Sequence, residues 1–163
     1  VKTAQDTDLA LGEEIWNPLF TYTKTGDLPK KDLQALAARA GVRFLGLLRV
    51  EIWKVEQRTE QIDVPGEGGE RDRIAFRKRT EAALQLRLTV YDAVNGGVAW
   101  LGIDEASLTN DALGAFVDPG DAAAVRDAKE AAMSEAFPPA PTPVAVGESV
   151  LRRFVKRFPT RTK

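Results

Sequence analysis

Between Arg79 and Ser107 the chain reads as an apolar strand, a glycine turn and a second apolar strand, and no other stretch limits the fold as much. Leu84, Leu86, Leu88 and Val90 alternate with Gln85, Arg87, Thr89 and Tyr91, the period of a strand with one face buried and one in water. Asn95-Gly96-Gly97 follows. Asn and Gly tolerate positive φ, so the chain can reverse there and return through Val98–Ile103 as an antiparallel hairpin. The glycine pair reads as a reversal rather than a phosphate cradle, because no helix opens directly after it.

Helical signals flank this hairpin. Leu9, Trp16 and Phe20 share one face of a helix over Asp6–Phe20 that Pro18 stops or bends, and Thr21–Asp27 reads as a polar turn. Leu33, Leu36, Ala37 and Ala40 give an amphipathic helix over Lys30–Ala40, closed by Gly41. Val42–Trp53 is apolar on both alternating sets, which predicts a strand central in the sheet with both faces covered. Gln57–Lys78 is rich in Gly, Pro and charge, and reads as a long hairpin connection. Such a loop can also carry a binding surface. Leu108–Gly120 reads as an irregular flap held by Leu113, Phe116 and Val117. Asp118-Pro119-Gly120-Asp121 opens a helix to about Phe137, with Val125, Ala132, Met133 and Ala136 inward.

The resulting expectation is an α+β fold: a mostly antiparallel sheet with a long central strand and a hairpin, packed by amphipathic helices. Residues 1–137 form one domain with a hairpin loop at 57–78, 138–146 is an extended proline-rich connector, and 147–163 is a basic amphipathic helix and tail. In that last helix Val150, Leu151, Phe154, Val155 and Phe158 fall on one face and Arg152, Arg153, Lys156 and Arg157 on the other.

Composition narrows the chemistry. With 163 residues, 44% hydrophobic and 29% charged, the chain can bury a core without staples. A formal charge of −1 gives the whole molecule no general attraction for nucleic acid or anionic lipid. Cysteine and histidine are both absent, which removes thiolate catalysis, disulfides, serine–histidine triads and most zinc sites. Neither a cofactor nor a metal site is predicted, since the spacing of Asp104, Glu105, Asp111 and Asp118 matches no calcium loop. Asp104 and Glu105 point to opposite faces of a strand, so hydrolysis would need another pairing, such as Asp104 with Asp118 in one cleft. The start at Val1 rather than Met suggests a processed or excised chain.

The cations of the last helix allow three readings: a docked helix with solvated charges, contact with an anionic surface such as lipid, or nucleic acid. The last has least support, as no aromatic residues interleave with the cations for stacking. Trp16, Trp53 and Trp100 each read as core packing, with ligand stacking as the alternative; Trp53 beside the loop is the one whose exposure matters. The candidate interaction residues are therefore Trp53, Arg58, Arg71, Arg73, Arg152, Arg153, Lys156 and Arg157.

Leu36-Ala37-Ala38-Arg39-Ala40-Gly41-Val42-Arg43-Phe44-Leu45-Gly46, followed by Leu86-Arg87-Leu88-Thr89-Val90-Tyr91-Asp92-Ala93-Val94-Asn95-Gly96-Gly97-Val98-Ala99-Trp100, resembles bacterial envelope lipoprotein domains. These are of the curli-secretion lipoprotein, penicillin-binding-protein activator and TolB amino-terminal-domain type, and the resemblance spans roughly Leu33–Ala136. It implies a non-catalytic periplasmic accessory or assembly protein that contacts envelope proteins, tethered to the outer membrane, if at all, through a segment not in this chain. A homo-oligomer and peripheral membrane contact stay open. The alternative is an anion-binding module built on the basic helix.

Overall fold

A computed structural model of the chain describes residues 16–66 and 71–157. Helices α1 (Trp16–Thr25) and α2 (Lys30–Ala40) precede strands β1 (Phe44–Val64), β2 (Arg73–Asp92) and β3 (Gly97–Leu113), and helices α3 (Ala122–Ser134) and α4 (Pro143–Arg157) follow. The strands form one sheet in the order β1-β2-β3. Connections as short as 65–72 and 93–96 cannot make a parallel crossover, so both pairs are antiparallel. The α+β class and the hairpin are as the sequence predicts.

Several expectations change. Among the described residues β2, not the Val42–Trp53 stretch, is central, and β1 lies at an edge of the sheet. The 57–78 loop shrinks to 65–72, because Arg77 and Arg79 on β2 find acids on both neighbouring strands and so can lie in a sheet. The flap at 108–120 is strand as far as Leu113, its Asn110 amide donating to Pro139 O at 2.7 Å. Thr21–Thr25 continues α1, where Thr21 and Thr25 hydroxyls donate to the carbonyls four residues back. The first part of the Asp6–Phe20 helix, the Trp16 side chain, Phe158 and the basic tail lie outside the described residues.

The chain divides into two compact units, each built from several segments. The first comprises Val1–Ile52, Gln85–Glu105 and Leu151–Lys163; the second comprises Trp53–Leu84 and Ala106–Val150.

In the first unit Tyr22, Leu28, Leu33, Leu36, Ala37, Leu47, Tyr91 and Ala93 form one buried cluster. α2 presents the predicted residues to it, and Gly41 ends the helix at φ 64°, where its N–H reaches the carbonyls of Ala37 and Ala38. The Tyr22 hydroxyl lies 3.4 Å from Leu47 O and 3.3 Å from Thr89 Oγ1, tying α1 to both strands. At the hairpin turn Asp92 accepts from Arg43 Nε and Nη2 at 3.2 and 2.8 Å, from Val94 N at 3.1 Å and from Asn95 Nδ2 at 2.8 Å. Gly96 then takes φ 70° and its N–H returns to Asp92 O at 2.7 Å. The Arg43 guanidinium, aided by the Val94 N–H, holds the Asp92 carboxyl below the usual range.

In the second unit β2 buries Ile74, Phe76, Lys78, Thr80, Ala82 and Leu84 on one face. Lys78 is a buried cation: its Nζ meets the Glu135 carbonyl just after α3 and sits 4.6 Å from the centre of the Phe137 ring. Thr80 donates to Pro138 O at 2.7 Å, so the proline stretch is pinned to the strand. The Asp121 side chain caps α3 through Ala123 and Ala124 N–H, and the helix ends at Ser134, short of the predicted Phe137. Only Ala132 of its expected inner face is buried, whereas Met133 is exposed.

α4 begins at Pro143 rather than Gly147. Thr142 Oγ1 accepts from Ala145 N at 3.2 Å, and proline at the first helical position needs no donor. Its buried residues are Val146, Val150 and Phe154, while Leu151 and Val155 face out.

Candidate interaction surface

Side-chain pairs define the register of β1 on β2 and show one extra residue on β1. Glu51 Oε1 lies 2.8 Å from Arg87 Nε, odd against odd, yet Gln57 meets Thr80 and Glu60 meets Arg77. The parity switch requires a β-bulge between residues 51 and 57. On the amino-terminal side of it, the Arg43 carbonyl accepts from Ala93 N at 2.9 Å, and Leu47 O lies beside Thr89. Odd residues therefore bond to β2, and the backbone N–H and C=O of Leu48, Val50 and Ile52 point away from the sheet.

The side chains of those three residues are also uncovered, at 45%, 58% and 50% exposure, as is Phe44 at 51%. The charged alternate set is the more enclosed one. Arg49 and Glu51 keep only 21% and 18% of their side-chain surface in water; Glu51 pairs with Arg87, and Arg49 lies 3.8 Å from the same carboxylate. Apolar positions thus face solvent while the charges beside them turn inward. Inward-turned charges guard many edge strands, whereas an exposed apolar set beside outward-pointing backbone groups invites pairing.

The predicted site residues are scattered. Trp53 is 38% exposed on β1, and Arg58 is exposed farther along it. Arg71 and Arg73 line an open groove with Asp72, Phe116 and Asp118, where Asp118 lies 3.7 Å from Arg71 and accepts from Gly120 N at 2.8 Å. On α4, Arg153 and Arg157 lie 3.6 and 3.1 Å from the buried Asp104 carboxylate, and Arg153 also donates to Glu105 O at 2.6 Å. Arg152 and Lys156 are exposed and have no acid partner among the described residues. Trp100 packs edge-on against Phe154, ring centres 6.1 Å apart.

The charged ladder of the second unit holds itself together. Arg79 donates to both Asp111 oxygens at 2.8 and 2.9 Å, and Arg77 reaches Glu60 Oε1 at 2.8 and 2.5 Å. Hydrogen bonds from these arginines hold both acids below the usual carboxylate range. Asp104 and Asp118 each answer their own arginines, and among the described residues no group of three or more acids gathers to hold a metal.

The sequence pattern places Leu48, Val50 and Ile52 in the interior, whereas the structure leaves them exposed. The available signal was the alternation itself: Arg49 and Glu51 interrupt only one of the two sets, which is the pattern of a strand with one apolar face. The sequence matches no protein-family model and has no significant match among curated proteins.

Proposed function

We infer that this chain is a non-catalytic binding module that acts through protein–protein contacts as an accessory or assembly component of the bacterial cell envelope. The observation that carries the contact reading is the uncovered apolar set on the outer edge of β1. Three exposed aliphatic residues beside backbone groups that point away from the described sheet suit strand addition, in which main-chain bonds give affinity and alternate side chains give specificity. The envelope assignment rests on the resemblance of Leu36–Gly46 and Leu86–Trp100 to envelope lipoprotein domains.

The test is capture from envelope extract with the wild-type chain, with Val50→Lys, and with a double Arg152→Ala, Lys156→Ala variant. The expected result is a protein partner that survives a high-salt wash, is kept by the double variant and is lost by Val50→Lys. Retention by Val50→Lys would sink the reading.

A second reading, binding to an anionic surface, is favoured by Arg152 and Lys156, one helical turn apart beside the exposed Leu151 and Val155. It is weakened by Asp104, which already takes two of the four helix cations. Contacts to a polyanion fade steeply with salt, whereas an apolar strand contact does not, so the same wash separates the two.

A further inference from the structure

We propose that the outer edge of β1 pairs, antiparallel and centred on Val50, with the same edge of a second copy of this chain. The inference rests on the protein-contact reading above and supplies its partner.

Two-fold pairing of a strand with itself places residue i opposite a residue at equal distance on the other side of the axis. About Val50, Leu48 comes opposite Ile52 of the second copy, and Val50 opposite its own copy. All three have outward-pointing N–H and C=O groups, so each facing pair exchanges both backbone hydrogen bonds. The three exposed aliphatic side chains then stack on one face of the joined sheet. On the other face Arg49 comes opposite Glu51 of the second copy, and Glu51 opposite its Arg49. Arg49 now donates to Lys24 O at 3.3 Å and lies 3.8 Å from Glu51, whose nearer partner is Arg87 at 2.8 Å, so the second copy's Glu51 gives it a carboxylate that it does not share with Arg87.

The extent of the pairing is also written into the strand. Lysine, proline and bulges are among the devices that keep edge strands from pairing, and inward-pointing charges such as Arg49 and Glu51 are another. Phe44–Ile52 has neither lysine nor proline, whereas Lys54 and the extra residue between 51 and 57 come immediately after. Within that stretch the axis through Val50 uses Leu48–Ile52, and Lys54 lies just beyond it, opposite Gly46 of the second copy.

The chain lacks cysteine, so single cysteines report the register directly. In the proposed pairing the Val50 Cα atoms lie about 5.5 Å apart, within disulfide reach. Leu48 and its own copy are offset by four residues, about 13 Å. The experiment is sedimentation of the full chain over a wide concentration range, followed by mild oxidation of Val50→Cys, Leu48→Cys and Ile52→Cys variants. The expected result is a concentration-dependent dimer that Val50→Lys abolishes while its thermal melt stays cooperative. Val50→Cys cross-links alone, whereas Leu48→Cys and Ile52→Cys cross-link only when mixed.

A chain monomeric at every concentration overturns the inference. So does a dimer in which Leu48→Cys alone cross-links as readily as Val50→Cys. If the chain is monomeric yet loses an envelope partner on Val50→Lys substitution, the contact reading stands without the self-pairing. If Val50→Lys changes neither sedimentation nor capture, both fail.

Discussion

Strands β1 and β2 have 21 and 20 residues and pair side by side, yet β2 buries twelve residues and β1 only Leu47. Hydrophobicity does not explain the contrast, since Phe44–Ile52 is as apolar as any stretch of β2. Neighbours do. β2 has a strand on each side, and Tyr22 in the first unit and Thr80 in the second each tie it to another element of the same unit. Among the described residues β1 has a neighbour on one side, so they leave its apolar set uncovered. A strand's own composition states what it can bury; the elements packed around it decide what it does bury.

The sharpest way to break this comparison is to place one charge in each strand. Leu86→Asp puts a carboxylate where β2 is buried, and a buried charge without a partner costs more than the roughly 5 kcal/mol that many small domains can lose. We expect no cooperative thermal melt by circular dichroism. Val50→Asp on β1 is expected to shift stability by only about 0.5 kcal/mol. Comparable losses in the two variants would show that β1 is covered within its own chain.

The two strands also each carry a lysine in contrasting surroundings. Lys78→Ala removes a buried cation from the Glu135 carbonyl and the Phe137 ring, and leaving that carbonyl unpaired is expected to cost about 1–3 kcal/mol. Lys54→Ala breaks an exposed pair with Glu56 and should change stability by about 0.5 kcal/mol or less. Urea midpoints of the two variants check this, and equal midpoints would mean that Lys78 does not hold the segment after α3.

These contrasts also mark what the sequence could disclose. α2, its Gly41 cap and the Asp92–Gly97 reversal were legible because local chemistry alone determines them: a helical stripe, a left-handed cap, a turn that tolerates positive φ. The paired course of Arg73–Arg79 was not, because it depends on Glu60 and Asp111, residues distant in sequence that neutralise Arg77 and Arg79 across the sheet. The site was half legible for the same reason. Arg152, Arg153, Lys156 and Arg157 stand out as a basic stripe, but only the fold shows Asp104 taking two of them. Leu48, Val50 and Ile52 read as one of two covered apolar sets, because nothing local to the strand tells which side lacks a neighbour.

Acid sharpens the comparison at the far end of β2. Asp92 is held below the usual carboxyl range first by Arg43 and then by the Val94 N–H. A depressed folded value means its contribution is fully present above the unfolded value, near 4, and is lost as pH falls through the lower folded value. Wild-type melting temperature should therefore drop through that acidic window. Asp92→Asn should melt lower at neutral pH and converge with the wild type as acid is added. A constant gap between the two would show that the carboxylate charge does not stabilise the turn.

The smallest effect changes no stability and tests the comparison bond by bond. Along β2 every interior amide has a strand on one side or the other to pair with. Along the first half of β1 the amides of Leu45, Leu47 and Arg49 pair with β2, whereas those of Leu48, Val50 and Ile52 point outward. Amide exchange in dilute solution should alternate along β1, with the outward set opening at almost no free-energy cost and the inward set needing at least local unfolding. Raising the protein concentration should slow the outward set alone, because only an added strand supplies acceptors on that side. Uniform protection along β1 in dilute solution would mean that the outer edge is already paired within the chain, and the contrast between the two strands would then lie in their side chains only.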